Sequence, residues 1–280
     1  MGVVIRPLAL HQITAMEAGP VELVSIAAAT GCQGVCIFTH SPRSPLPGMT
    51  TSFAFPVVDQ GNRDAMLERL ADTGITVGNI EFFPIQEGLD LQVYRDGLAL
   101  GGELGAQRAV THIHDPDDAR AVDTLGRLCD MAAGYGITLG LEFMGLTPAC
   151  NSVQRAAWFV GQVGRNNIGI GVDALHLART GGTPAEVAEL PAHLFVYAQI
   201  CDGAGLSVTS DYLSEAENRK MPGDGDFPLR ELIEALPLST ALDVEVPSTT
   251  LVARGVSALD RAREAVARAR VLTDAAKVSR

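Results

Sequence analysis

Residues 168–182 read Ile168-Gly-Ile-Gly-Val-Asp173-Ala-Leu-His176-Leu-Ala-Arg-Thr-Gly-Gly182, an apolar run broken by an acid and a histidine and closed by two glycines. In its first half, small and apolar residues occupy both alternating faces, the pattern of a strand buried on both sides in a parallel sheet. Asp173 and His176 fall where that strand should end. In folds built on parallel strands, ligands collect at the carboxyl ends, so polar side chains there face a site while the strand body faces the core. An acid in that place also makes a good helix cap, and this stretch alone does not separate the two readings.

The rest of the chain repeats the unit. Runs rich in apolar and β-branched residues predict strands at 4–13, 34–40, 75–83, 106–114, 137–144, 168–173, 195–201 and 241–246. Helical spacing predicts helices at 21–30, 63–72, 93–105, 118–135, 153–163, 184–189, 229–236 and 258–272. The Pro-, Ser- and Gly-rich segment 41–56 suits neither and is expected to be a long loop, with His40 a candidate part of a lid. Roughly eight strand-then-helix units point to a closed (β/α)8 TIM barrel; a doubly wound open sheet is the alternative. No GxGxxG follows the first strand and no GxxxxGK[ST] occurs, which disfavours the nucleotide-binding open sheet. No linker-like change in composition divides residues 1–280, so one domain is expected.

Composition narrows the function classes. The chain has 280 residues, 47% of them hydrophobic and 19% charged, with a net charge of −12. That balance disfavours nucleic acid and anionic membrane partners, which need clustered Lys and Arg. The five cysteines are scattered in apolar runs without a paired CxxC, as expected of reduced core thiols. No signal peptide or membrane-spanning run is visible, so a cytoplasmic protein acting on a small molecule is expected.

Polar residues stand near the ends of the later predicted strands: Glu142, Asp173, Gln199 and Glu245. In a barrel they converge on one mouth. Three carboxylates in one apolar-walled pocket would raise each other's pKa unless a cation sits among them. Three acids and an amide oxygen suit a divalent Mg or Mn ion, and Co or Zn is compatible. His11, Glu81 and His114 fall near early strand ends and are candidates to line a substrate pocket. The loop around Asn218-Arg-Lys-Met-Pro-Gly-Asp-Gly225 reads as too polar and turn-rich to be buried. Arg219 is therefore expected to lean over the mouth and bind the substrate's oxygens.

Gly-Leu-Glu142-Phe-Met, Asp173-Ala-Leu-His176, Ala-Gln199-Ile-Cys-Asp202, Arg219-Lys-Met-Pro-Gly-Asp-Gly225 and Val-Glu245-Val-Pro together resemble the xylose-isomerase-like TIM barrels of the sugar phosphate isomerase/epimerase group. The likeness runs over nearly the whole chain and marks the superfamily rather than the substrate. It implies that Glu142, Asp173, Gln199 and Glu245 are metal ligands, and that Glu142 and Glu245 face each other across the substrate to remove and return a proton. Many members carry His where this chain has Gln199. Hydroxypyruvate isomerases and bacterial 3-dehydroshikimate dehydratases are more similar there, and likeness to the dehydratases makes His176 a second candidate base. A homodimer or homotetramer is also implied.

The resulting expectation is a divalent-metal-dependent isomerase or epimerase of a small polyhydroxylated carbonyl compound. A lyase of the 3-dehydroshikimate dehydratase type, beginning with the same proton abstraction, is the alternative. The apurinic-site endonuclease that shares the fold needs more His and acid ligands and a basic DNA face, which this chain lacks. A non-catalytic binding barrel gives no reason to gather four ligand-type residues.

Overall fold

The computed structural model describes residues 6–41, 56–207 and 211–275. Eight parallel strands follow one another around a closed barrel: β1 (Leu8–His11), β2 (Gly34–Phe38), β3 (Thr76–Glu81), β4 (Arg108–Thr111), β5 (Thr138–Glu142), β6 (Ile168–Asp173), β7 (Phe195–Ile200) and β8 (Ala241–Val244). Because β8 pairs with β1, with Leu8 opposite Leu242 and Leu10 opposite Val244, the open-sheet alternative is excluded. The helices are α1 (Pro20–Ala29), α2 (Arg63–Thr73), α3 (Arg95–Glu103), α4 (Asp118–Ala133), α5 (Val153–Val163), α6 (Ala174–Arg179), α7 (Pro184–Glu189), α8 (Tyr212–Glu217), α9 (Leu229–Ala235), α10 (Thr249–Ala253) and α11 (Ala258–Ala275). Of the lid expected from His40 and segment 41–56, residues 42–55 lie outside the described residues. No helix among the described residues is long and apolar enough to cross a membrane. All five cysteines are buried free thiols.

β6 shows why the opening stretch behaves as it does. All six of its residues are buried. At Gly169 an added Cβ would come within 2.4 Å of Val196 Cγ1, and at Gly171 within 2.1 Å of Tyr197 Cζ. Glycine is thus required on β6 by the side chains of β7. Between the two glycines the register shifts, from Ile170 opposite Phe195 to Gly171 opposite Tyr197. Such an irregularity re-aims the side chain beside it.

The seam between β1 and β8 is tied by polar groups as well as by the ladder. Buried Arg6 donates through Nη1 to the Ile233 carbonyl at 2.9 Å and through Nη2 to those of Pro237 at 2.6 Å and Thr240 at 3.2 Å. Thr14 Oγ1 donates to the Val244 carbonyl at 3.0 Å and accepts from the Val246 amide at 2.9 Å. Arg261 Nη2 on α11 meets both carboxylate oxygens of Glu17 at 2.6 Å. The carbonyls are orphan acceptors beyond strand and helix ends, and the arginine and threonine satisfy them.

Candidate metal centre and barrel mouth

Glu142 ends β5, Asp173 ends β6, Gln199 is the penultimate residue of β7, and Glu245 follows β8 directly. All four are buried, from Asp173 at 0% exposed to Glu245 at 5%. Asp173 and Gln199 are partners in the ladder. Asp173 is also the cap of α6, since its Oδ1 accepts from the Leu175 amide at 2.7 Å. Both readings of the opening stretch therefore hold at once: one oxygen caps the helix and the other, Oδ2, faces the site.

His176 sits one turn into α6, with Nε2 3.3 Å from Glu142 Oε1 and 3.7 Å from Asp173 Oδ2. Its Nδ1 faces the Tyr212 hydroxyl. One ligating atom from each of Glu142, Asp173 and His176 lies within 4.8 Å of the others, a spacing that can hold a metal ion. Gln199 Oε1 and Glu245 Oε2 are buried without a hydrogen-bond partner. Unpaired acceptors in a dry pocket are costly, and a cation satisfies them. The donor set of carboxylates, an amide oxygen and one imidazole fits a divalent ion.

Burial raises the carboxyl pKa of Glu142, but the imidazoles of His112 and His176 prevail and hold it well below the usual carboxylate range. At Glu245 burial wins: despite Arg219 and His11 nearby, and with Asp173 and Glu142 adding repulsion, its pKa is pushed up to about 7. Burial depresses His176, and Asp173 and Glu142 reverse the effect to leave it raised. Two glutamates at one mouth are thus driven in opposite directions, which is how a site obtains separate roles from like groups.

Arg219 corrects the sequence reading of its loop. It is 9% exposed, and its guanidinium lies between two acids, with Nη1 2.7 Å from Asp173 Oδ2 and Nη2 3.0 Å from Glu245 Oε1. Most of the loop stays at the surface, with Lys220, Asp224 and Asp226 exposed, while Arg219 turns inward and the loop backbone is tied down at both ends. Asp202 accepts from the amides of Gly203 at 2.8 Å, Gly223 at 2.9 Å and Phe227 at 3.1 Å, and its own amide donates to the Lys220 carbonyl at 3.0 Å. On the other side the Arg219 amide donates to the Pro247 carbonyl at 3.0 Å. A segment strapped to the ends of both β7 and β8 carries its arginine into the mouth.

The early strands contribute a second group. His11 Nε2 is 3.2 Å from Glu81 Oε1, both side chains being buried. Burial lowers the His11 pKa, but Glu245, Glu81 and Asp243 carry it up to about 9. His114 is half-buried beside His112, their ring centroids 6.2 Å apart, and burial together with His112 lowers its pKa to about 3.

Three residues here were absent from the sequence-derived set. Buried His112 lies just past β4, its Nε2 3.4 Å from Glu142 Oε1 and its ring stacked on Phe82 at 5.2 Å between centroids. The strand was expected to run to His114 but ends at Thr111, which moves the mouth-facing position to His112. Tyr197, fully buried, donates from its hydroxyl to Glu142 Oε2 at 2.7 Å. Tyr212 lies in α8, a helix of six residues, too short for periodicity to reveal.

Comparisons with known proteins agree with this architecture. An inosose isomerase of Bacillus subtilis is 31% identical over 119 residues, which is 41% of each chain. A 3-dehydroshikimate dehydratase of Pseudomonas aeruginosa is 28% identical over 114 residues, 40% of this chain and 18% of the relative. The match thus spans less than half the length of these curated relatives. Among solved structures, an IolI protein with a bound zinc atom superposes with a TM-score of 0.76 at 19% identity, covering 95% of this chain and 98% of the other. A D-allulose 3-epimerase from Methylomonas in complex with D-allulose gives 0.72 at 14% identity, covering 97% and 99%. The family described as xylose isomerase-like TIM barrel matches residues 24–273, and the chain belongs to that family.

Proposed function

We propose that this protein is a divalent-metal-dependent isomerase or epimerase of a small polyhydroxylated carbonyl compound, a ketose or an inosose. The observation that carries the reading is Glu245: its Oε2 is buried at the mouth and bonded to nothing, an acceptor left open to a cation or to a substrate proton beside Glu142 and Asp173. Glu142, Asp173, Gln199 and Glu245, with His176 beside them, would hold an Mn or Mg ion, and Co or Zn fits the same donors. When bound, that ion supplies Lewis acidity to the substrate oxygen next to the carbon that loses its proton.

The rest is the work of the chain's own residues. Glu245 removes the proton adjacent to the carbonyl. Return of the proton to the neighbouring carbon, with the hydroxyl proton passing from one enediolate oxygen to the other, gives isomerisation, and return to the same carbon on its opposite face from Glu142 or His176 gives epimerisation. Arg219, fixed by Asp173 and Glu245, presents its remaining N–H groups to substrate hydroxyls. His11, Glu81 and His114, together with His112, line the side where the body of the substrate lies.

Incubating the metal-loaded protein in deuterated water with ketoses, inososes and 3-dehydroshikimate tests the reading. Deuterium incorporation into a ketose or inosose with conversion to its isomer supports it. Formation of an ultraviolet-absorbing aromatic product from 3-dehydroshikimate instead assigns a lyase, the second reading favoured by the dehydratase relative. No exchange into any of them, with no metal bound, would overturn both.

A further inference from the structure

Tyr197 is a fully buried polar side chain beside the site, and the mechanism above does not use it. It stands two residues before Gln199 on β7 and therefore points to the same inner face, one layer below the mouth. Its ring fills space left by two other strands. A Cβ on Gly140 of β5 would approach Tyr197 Cε1 to 2.3 Å, and one on Gly171 of β6 would approach Cζ to 2.1 Å. Two strands thus forgo side chains where this ring lies. The register irregularity before Gly171 sets Tyr197 directly opposite it. From that berth the hydroxyl donates to Glu142 Oε2 at 2.7 Å, and Oε1 is left facing His176 and His112.

We propose that Tyr197 is a positioning residue for Glu142: ring and hydroxyl, seated on Gly140 and Gly171, hold the carboxylate so that Oε1 alone is presented to the metal. The inference rests on the reading of Glu142 as a ligand. A glutamate side chain has three rotatable bonds, the last of which swings the carboxylate itself, so without a partner at Oε2 it turns to offer either oxygen or both. A phenol held on three strands removes that freedom without carrying charge into the pocket. Groups that orient a metal ligand in this way are worth about 10- to 100-fold in metal affinity or activity.

The test is the Mn affinity of Tyr197→Phe, by isothermal titration calorimetry, beside wild type. Phenylalanine keeps the ring in its berth and deletes only the hydroxyl. Expected are a dissociation constant raised about tenfold or more, kcat lowered with KM changed less, and a melting temperature within a few degrees of wild type. Gly171→Ala, which crowds the same ring, should weaken Mn binding too, and adding Tyr197→Phe to it should cost less than the two separate losses combined, as for residues acting through one contact. A lowered melting temperature with unchanged Mn affinity in Tyr197→Phe would make the tyrosine a packing residue and overturn the inference alone. Wild-type protein that takes up no Mn would overturn the metal reading and this inference with it.

Discussion

The two halves of the barrel mouth are built on different principles. The later strands, β5 to β8, bring three carboxylates into one web, each within 4 Å of an imidazole or guanidinium nitrogen: His112 and His176 at Glu142, Arg219 and His176 at Asp173, Arg219 at Glu245. The earlier half offers one acid, Glu81, three imidazoles, and aromatic faces such as Phe38 against His11 and Phe82 against His112. Carboxylates are concentrated on the late wall, and the early wall is richer in rings; under the proposed function the first would hold the cation and the second would contact the substrate. An ion that stabilises a developing oxyanion acts most strongly in a dry, preorganised setting, and a substrate is best oriented by groups that do not compete for the ion.

Four variants test this division. The largest effect is expected on the late wall. Glu245→Gln keeps size and a possible oxygen ligand but removes the basicity, so turnover should fall by about two to four powers of ten while Mn binding weakens much less. Turnover within a few-fold of wild type would move the base role to Glu142 or His176.

Next comes Arg219→Met, which leaves Asp173 and Glu245 buried without their guanidinium. Breaking a buried pair in this manner costs about 3–5 kcal/mol, and urea unfolding should show a loss of that order. A loss under about 1 kcal/mol would mean that the loop lies open in solution, as its composition suggests. Arg219→Lys, which keeps the charge without the two-pronged geometry, should lower kcat/KM by about tenfold or more.

The smallest effect belongs to the early wall. His114 has its pKa depressed to about 3, so the folded state resists a proton that the unfolded chain accepts below about 6.5. Stability present above that pH is therefore lost as pH falls from about 6.5 toward 3, with a slope of up to about 1.4 kcal/mol per pH unit. Unfolding curves of wild type and His114→Gln should diverge across this window and run parallel above pH 7. Parallel curves throughout would place His114 in solvent.

Much of the late wall was legible in the sequence because strand ends are. Glu142 and Asp173 close apolar runs whose bodies are buried on both faces, and in a parallel barrel that position faces the site. Arg219 was misread in its setting because composition reports polarity and not where the polar groups point. Asp202, an acid just past β7 that binds three amides, ties the loop's backbone down beside the mouth, so that Arg219 can be buried while the rest of the loop stays exposed. Tyr197 was passed over because a tyrosine inside a strand looks like ordinary core. The available signal was indirect, in glycines within the bodies of β5 and β6, where side chains are otherwise the rule. The early wall was harder to read since β4 stops at Thr111, and an error of three residues exchanges His112 for His114 as the group at Glu142.

The tied seam between β1 and β8 has a consequence for how the chain reaches this state. Arg6 and Ile233 are 227 residues apart in sequence, and Thr14 and Val246 232 apart, so the barrel closes only through its most distant contacts. On the ribosome, one edge of β1 waits unpaired until β8 has been made. An apolar strand edge held open that long is a template for another chain. Closure is then the slow, entropically expensive step, and substitutions at Arg6 or Thr14 should show themselves first as poor yield of folded protein at elevated growth temperature.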